Sequence, residues 1–274
     1  MSFQIHPTCK IHPTVKINVK HGYIGRDTII NENALVEGYH VEIGRESFID
    51  RYATIGGGSC FDSCAFLHTG DWFHMGVNSQ VNIARGVKIG HEVGIGIDSK
   101  VFTHGSYIDS YGLGAPVQWE GVEIGDNVWL PNAWVNPGVR IGSNVVVGAR
   151  SLITKNIPGG ALAAGSPARI IKEKAFPSLH DEAIKKVLLE RLVDQISFRL
   201  NDEDINFTIS AEFCDNMVVV DSDNKSTKFD LLNKIISGEY SKASSLAKDQ
   251  LRRNGIRFRY ENLNGFWTSW DCIS

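Results

Sequence analysis

The sequence predicts a mainly β protein, a parallel β-helix followed by a small α+β module. Three observations carry this. Apolar residues recur every six positions through the first part of the chain. Glycine and proline crowd into the same part: 24 of the 27 glycines lie between Gly22 and Gly165, and all eight prolines fall at or before Pro177. The last hundred residues instead show short helical and strand patterns. The shift in composition sets domain bounds of 1–173 and 174–274, with Pro167 and Pro177 bracketing the basic stretch ARIIKEK.

The steps of six begin at Ile24, Ile30 and Val36. After a slip of one residue they resume at Ile43, Ile49, Ile55, Phe61 and Leu67, and after a slip of two at Met75 and Val81. They continue at Ile89, Ile95 and Val101, at Ile124 and Leu130, and at Ile141, Val147 and Ile153. All of these are expected in the core. A helix repeats at 3.6 and an ordinary strand at 2, so a six-residue period fits neither. It fits short strands that each turn one apolar side chain inward and then take a corner, three to a coil. Small residues four places on, such as Thr28, Ala34, Ser47, Ala53, Ser79 and Ser99, suit the corners. A turn-rich sandwich, the alternative, would alternate at two. The largest break runs from Val101 to Ile124, 23 residues where a full coil has 18, and is expected to be a loop carrying function.

In the second module, SLHDEAIKKVLLERLVDQISFRL predicts a helix with Leu179, Ile184, Val187, Leu188, Leu192 and Ile196 on its apolar face. INFTIS, MVVVD and NGIRFRYEN read as strands, and FDLLNKIIS and SSLAKDQLRR as short helices. Arg252, Arg253, Arg257 and Arg259 form either an anion grip or a solvated basic edge.

Composition excludes several classes. Hydrophobic residues are 42%, charged residues 22% and the net charge is -3, so neither disorder nor bulk nucleic-acid binding is favoured. No run reaches the ~18 apolar residues of a membrane span, and the N-terminus is not of signal-peptide type. The five cysteines are scattered and odd in number. That argues against a disulfide framework and for a cytoplasmic location.

Residues 122–172, VEIGDNVWLPNAWVNPGVRIGSNVVVGARSLITKNIPGGALAAGSPARIIK, resemble the signature end of the hexapeptide-repeat acyltransferases, with IGDNVW, NPGVRIG, VVGARS, TKNIP and AGSPARIIK in the family's order. With the upstream hexads the resemblance covers about 150 residues. Pro131, a WLPNAWVNPG stretch one residue short, and Ala168 depart from the usual pattern. The resemblance implies a left-handed β-helix, a homotrimer with active sites between subunits, acetyl-CoA or another acyl-CoA as co-substrate, and no metal. The acceptor it implies is a hydroxyl or amine on a small-molecule sugar or nucleotide-linked amino sugar. The two-part arrangement resembles that of acyltransferases acting on nucleotide-linked amino sugars, and LRRNGIRFRYE resembles endings found in acyltransferases of surface-polysaccharide biosynthesis.

Acyl transfer from a thioester needs a base, an oxyanion site and a held donor. His104, just before the long loop, matches the family's general base, and imidazole suits the task with a pKa of ~6.5. The resemblance gives Trp129 the donor's reactive end, Gly148 and Ala149 the track of the CoA arm, and Lys155 and Arg169 its phosphates. It gives Asn82 a contact with the acceptor. His68 and His74 flank the irregular HTGDWFHM, so either could line the acceptor pocket, and His74 is taken as the acceptor contact; His91 is expected in solvent. Asp98 and Asp109 flank His104 and could orient its ring. A zinc set built from these histidines with Cys60 and Cys64 lacks the usual cysteine spacing. A β-helix can also serve as a non-catalytic scaffold, and fold alone does not decide between that and an enzyme.

Overall fold

Short strands joined by tight corners wind the first part of the chain into a left-handed parallel β-helix with three faces. The computed structural model describes residues 2–105, 108–176 and 181–269. The chain divides into two compact units, Met1–Pro177 and Ser178–Ser274.

In the first unit each face is a ladder of parallel strands. The first face stacks the leading half of Leu35–Ile43, then Thr54–Gly56, Gln80–Asn82, Lys100–Val101, Trp134–Val135 and Leu152–Ile153. The second stacks the trailing half of Leu35–Ile43, then Phe66–Thr69, Val87–Ile89, Val122–Ile124 and Arg140–Ile141. The third runs from Lys10–Ile11 through Phe48–Ile49, His74–Met75, Gly94–Ile95, Val128–Leu130 and Val145–Val147 to Leu162–Gly165. There Ala168–Lys172 turns back antiparallel and closes the ladder.

Successive side chains on a strand point to opposite faces, so each coil sends alternate residues into the prism. Ile24, Ile30, Val36, Ile43, Ile49, Ile55, Leu67, Met75, Val81, Ile95, Leu130 and Val147 are buried in one continuous core. The corners demand the left-handed backbone region. Asn, Asp and Glu supply many of these corners (Asp27, Asn33, Glu46, Asn78, Glu92, Asp98, Asn127, Asn132, Asn144), but Trp72 and Arg150 adopt it too.

Two expectations are corrected here. Phe61 is 36% exposed, and Cys60 is buried in its stead. Residues 57–65 bulge out at a corner, so the count of six breaks before Leu67. The long break is also larger than a comparison with a whole coil suggests. Val101 lies on the first face and Ile124 on the adjacent second face, normally one hexad away, so most of the intervening chain is an excursion from a single corner.

The second unit is a six-stranded antiparallel sheet in the order Thr208–Glu212, Met217–Ser222, Lys225–Asp230, Ile235–Glu239, Phe266–Ser269, Tyr260–Leu263. Two helices accompany it, α1 (Glu182–Asp202) and α2 (Lys242–Arg253). Asp181 caps α1 by accepting the Ile184 N–H at 2.9 Å, and Ser241 with Ser244 forms a capping box on α2. Leu189, Ile196 and Leu200 of α1 and Ala247 and Leu251 of α2 share a core with Val218, Phe229 and Phe258.

FDLLNKIIS is a hairpin rather than a helix. Thr227 and Phe229 point inward at period two, and Asp230 accepts the Leu232 and Asn233 N–H groups at the turn. The buried side of α1 is rotated from the expected one. Ile184, Val187 and Leu188 are exposed, whereas Leu189 and Leu200 are buried. Leu179 lies outside the described residues. The predicted final strand NGIRFRYEN becomes strand only from Tyr260, in Tyr260–Leu263. Arg252 and Arg253 both bond to Asp249.

Candidate active site

Three irregular corners among the described residues fall between the first and second faces, so these departures from regular winding collect along one edge of the prism. Residues 57–65, 83–86, 102–105 and 108–121 leave the ladder there, on successive coils. His104–Gly105 pairs antiparallel with Gln118–Trp119, which makes a short hairpin neck at the base of the excursion. The neck fixes His104 from one side, because its imidazole stacks on the Trp119 indole with centroids 4.9 Å apart and planes 16° from parallel. The guanidinium carbon of Arg85 lies 4.6 Å from the Trp119 ring centroid.

Asn82 holds His104 from the other side. It ends a first-face strand and is 4% exposed. Its Oδ1 takes three contacts: the Thr103 hydroxyl at 2.5 Å, the Ala84 N–H at 3.1 Å and His104 Nδ1 at 3.1 Å. Thr103 Oγ1 in turn accepts the Arg85 N–H at 3.2 Å. Gly57, at φ +99°, faces the Asn82 amide from the preceding coil, where a Cβ would collide with Nδ2. A carbonyl oxygen only accepts, so this arrangement puts a proton on His104 Nδ1 and leaves the Nε2 lone pair available.

The other expected site residues do not join this cluster. Asp98 bonds the Asn78 amide at 2.6 Å, and Asp109 caps its own turn through Tyr111 and Gly112 N–H groups, so the imidazole is held by Asn82 instead. Trp129 stands on the third face, 44% exposed, its ring lying over Gly94. His74 is on the same outward column, stacked on Phe48 at 5.1 Å. Gly148 and Ala149 occupy the corner after Val145–Val147, Lys155 follows Leu152–Ile153, and Arg169 is exposed on the terminal reversed strand. His91 accepts the Asp71 N–H at 3.0 Å. Burial pushes the His68 imidazole below its ordinary range, against the opposing pull of Glu42. Burial likewise pushes the Cys60 thiol up, which disfavours thiolate chemistry there.

Two hollows lie on the second face. One of about 770 Å³ is lined by Lys88, Glu123, Arg140 and Asn156, and one of about 390 Å³ by Gly86, Glu120 and Gly121. Neither includes His104, and the hydrogen-bond geometry at His104 is the stronger marker of chemistry. Trp119 and Arg85 escape a reading of the sequence because the hairpin neck that brings them to His104 leaves no periodic trace. No helix among the described residues is long and apolar enough to cross a membrane.

No family profile matches the chain. A galactoside O-acetyltransferase of Escherichia coli is 33% identical over 141 residues, covering 47% of this chain and 68% of that protein. A putative lipopolysaccharide biosynthesis O-acetyl transferase of the same organism, WbbJ, is 40% identical over 112 residues, covering 35% of this chain and 56% of that one. Among solved structures, the N-acyltransferase AntD from Bacillus cereus, in complex with dTDP and 3-hydroxybutyryl-CoA, aligns at 18% identity. It covers 62% of this chain and 88% of that one, with a TM-score of 0.45.

Proposed function

Because the chain belongs to the hexapeptide-repeat acyltransferases, we propose that it transfers an acetyl group from acetyl-CoA to a sugar hydroxyl, with His104 as general base. The observation that carries this is the Asn82–His104 hydrogen bond, which presents Nε2 as an acceptor. In this reading Nε2 takes the hydroxyl proton as the sugar oxygen attacks the thioester carbonyl. A backbone N–H near the corner stabilises the oxyanion, and the imidazolium returns the proton to the departing CoA thiolate. Both E. coli relatives are named for O-acetyl transfer, which favours a hydroxyl over the amino group of a nucleotide-linked sugar.

The donor side draws on a second copy of the chain. His104 lies on the edge between the first and second faces, and Trp129 on the third, opposite face. One prism cannot bring them together, but neighbours in a homotrimer can. Trp129 then walls the thioester, Gly148 and Ala149 line the pantetheine track, and Lys155 and Arg169 meet the phosphates. His74 shares the Trp129 column and contacts the acceptor from that side.

The test is CoA release from acetyl-CoA across a panel of galactosides and amino sugars. His104→Ala is expected to lower kcat by ~10²–10⁴-fold, the usual worth of a positioned base. Turnover close to that of the unaltered protein would remove His104 from the role. Absence of any acceptor-dependent release, with no saturable acetyl-CoA binding, would favour a non-catalytic scaffold.

A further inference from the structure

Two imidazoles and a carboxylate converge on the outer side of the second face, on coils that precede the His104 coil. His40 and Glu42 are two apart on one strand, so they share a side. The neighbouring strand sets His68 opposite Glu42. His40 Nε2 lies 2.8 Å from Glu42 Oε1, and His68 Nε2 lies 3.7 Å from Glu42 Oε2. One ligand atom from each of the three falls within 4.8 Å of the others. The two imidazole centroids are 5.2 Å apart, and Phe66 walls His68 at 4.7 Å. All three side chains are only partly exposed, at 33%, 31% and 44% for His40, Glu42 and His68.

We propose that His40, Glu42 and His68 bind a first-row divalent transition ion of the zinc type. Two histidines and one carboxylate are a ligand set suited to zinc and its neighbours, with positions left for water. Calcium and magnesium prefer oxygen ligands and fit poorly. The rings need only carry their protons on Nδ1 to turn both Nε2 lone pairs to the metal. The strands that position the ligands are locked into the ladder, so little ordering remains to oppose binding. The ion would tie two successive coils together beside the 57–65 bulge. Lys88 follows His68 on the next coil and opposes a second cation there, which gives the site a charge signature of its own.

The experiment uses the full chain, stripped with a chelator and with its thiols alkylated, so that exposed Cys64 and Cys214 do not compete. Zinc chloride is titrated calorimetrically, and Tm is followed with and without zinc. One zinc per chain and a rise in Tm are expected, because an ion bound only to the folded state stabilises it. His68→Ala and Glu42→Gln should each weaken binding by at least ~10-fold. Lys88→Ala should tighten it. His12→Ala, whose ring bonds its own Thr14 at the surface, should leave it unchanged. If His68→Ala fails to fold, Glu42→Gln alone carries the reading. The absence of zinc binding would overturn the proposal, as would binding lost in His12→Ala but kept in Glu42→Gln, or magnesium binding as tightly as zinc.

Discussion

Asn82→Ala separates the positioning of His104 from the folding of the edge. The substitution deletes an oxygen that accepts from Thr103, Ala84 and His104. Thr103 and Ala84 are both fully buried. The Thr103 hydroxyl can rotate to another acceptor, whereas the Ala84 N–H cannot. One full penalty for a buried orphan donor follows, about 1–3 kcal/mol. For a chain of this size that lowers Tm by roughly 2–4 °C per kcal/mol.

The rate carries a second, independent cost. In the proposed mechanism His104 becomes cationic, and a hydrogen bond to a charged group is worth about 1.5–3 kcal/mol. At about 1.36 kcal/mol per decade, kcat should fall roughly 10–10²-fold. The assay is CoA release at saturating acetyl-CoA, read beside a thermal melt. Asn82→Asp keeps all three acceptor contacts, so kcat should fall less than in Asn82→Ala. An Asn82→Ala protein with reduced Tm but undiminished kcat would refute the reasoning, because Asn82 would then support the corner and not the base.

Further outcomes follow from the same structure. Phe73→Ala empties one of the largest fully buried side chains and should cost about 3–5 kcal/mol in denaturant unfolding, whereas Phe61→Ala, on the exposed bulge, should cost far less. Lys155→Ala and Arg169→Ala should raise KM for acetyl-CoA by roughly 5–10-fold with little change in kcat, the pattern of binding shared equally by ground and transition states. In the second unit burial pushes the Asp249 carboxyl up, but Arg252 and Arg253 outweigh it and hold it below the ordinary range. Its folded value is depressed, so its contribution is present at neutral pH and is lost as pH falls below ~4. Asp249→Asn should flatten that acid limb in a melt series.

Much of the first unit is legible in the sequence because a β-helix spends one inward side chain per hexad and repeats it. Ile24 through Ile55 and Ile89 through Val101 therefore announce their own burial. The legibility ends where the winding is interrupted. Phe61 keeps the period yet points outward, since the bulge hands its place to Cys60. In the second unit, LLNKII reads as helix by composition, but Leu231–Lys234 form the turn of a hairpin whose strands pair with each other and are flanked by Met217–Ser222 and Phe266–Ser269. At the site, His104 is marked by its place before the loop. Its partner is not marked: Asp98 and Asp109 are close in sequence, but coil stacking delivers Asn82 from 22 residues away.

The reversed strand Ala168–Lys172 has a consequence for how the molecule behaves in a crowd. A stack of parallel coils ends in a row of unpaired backbone donors and acceptors, and an identical coil from another molecule could continue it. By folding back on Leu162–Gly165, the chain occupies the end of the third-face ladder with a strand of opposite direction. Shortening the protein before residue 166 would expose that end, and end-to-end growth into filaments would compete with the homotrimer proposed above.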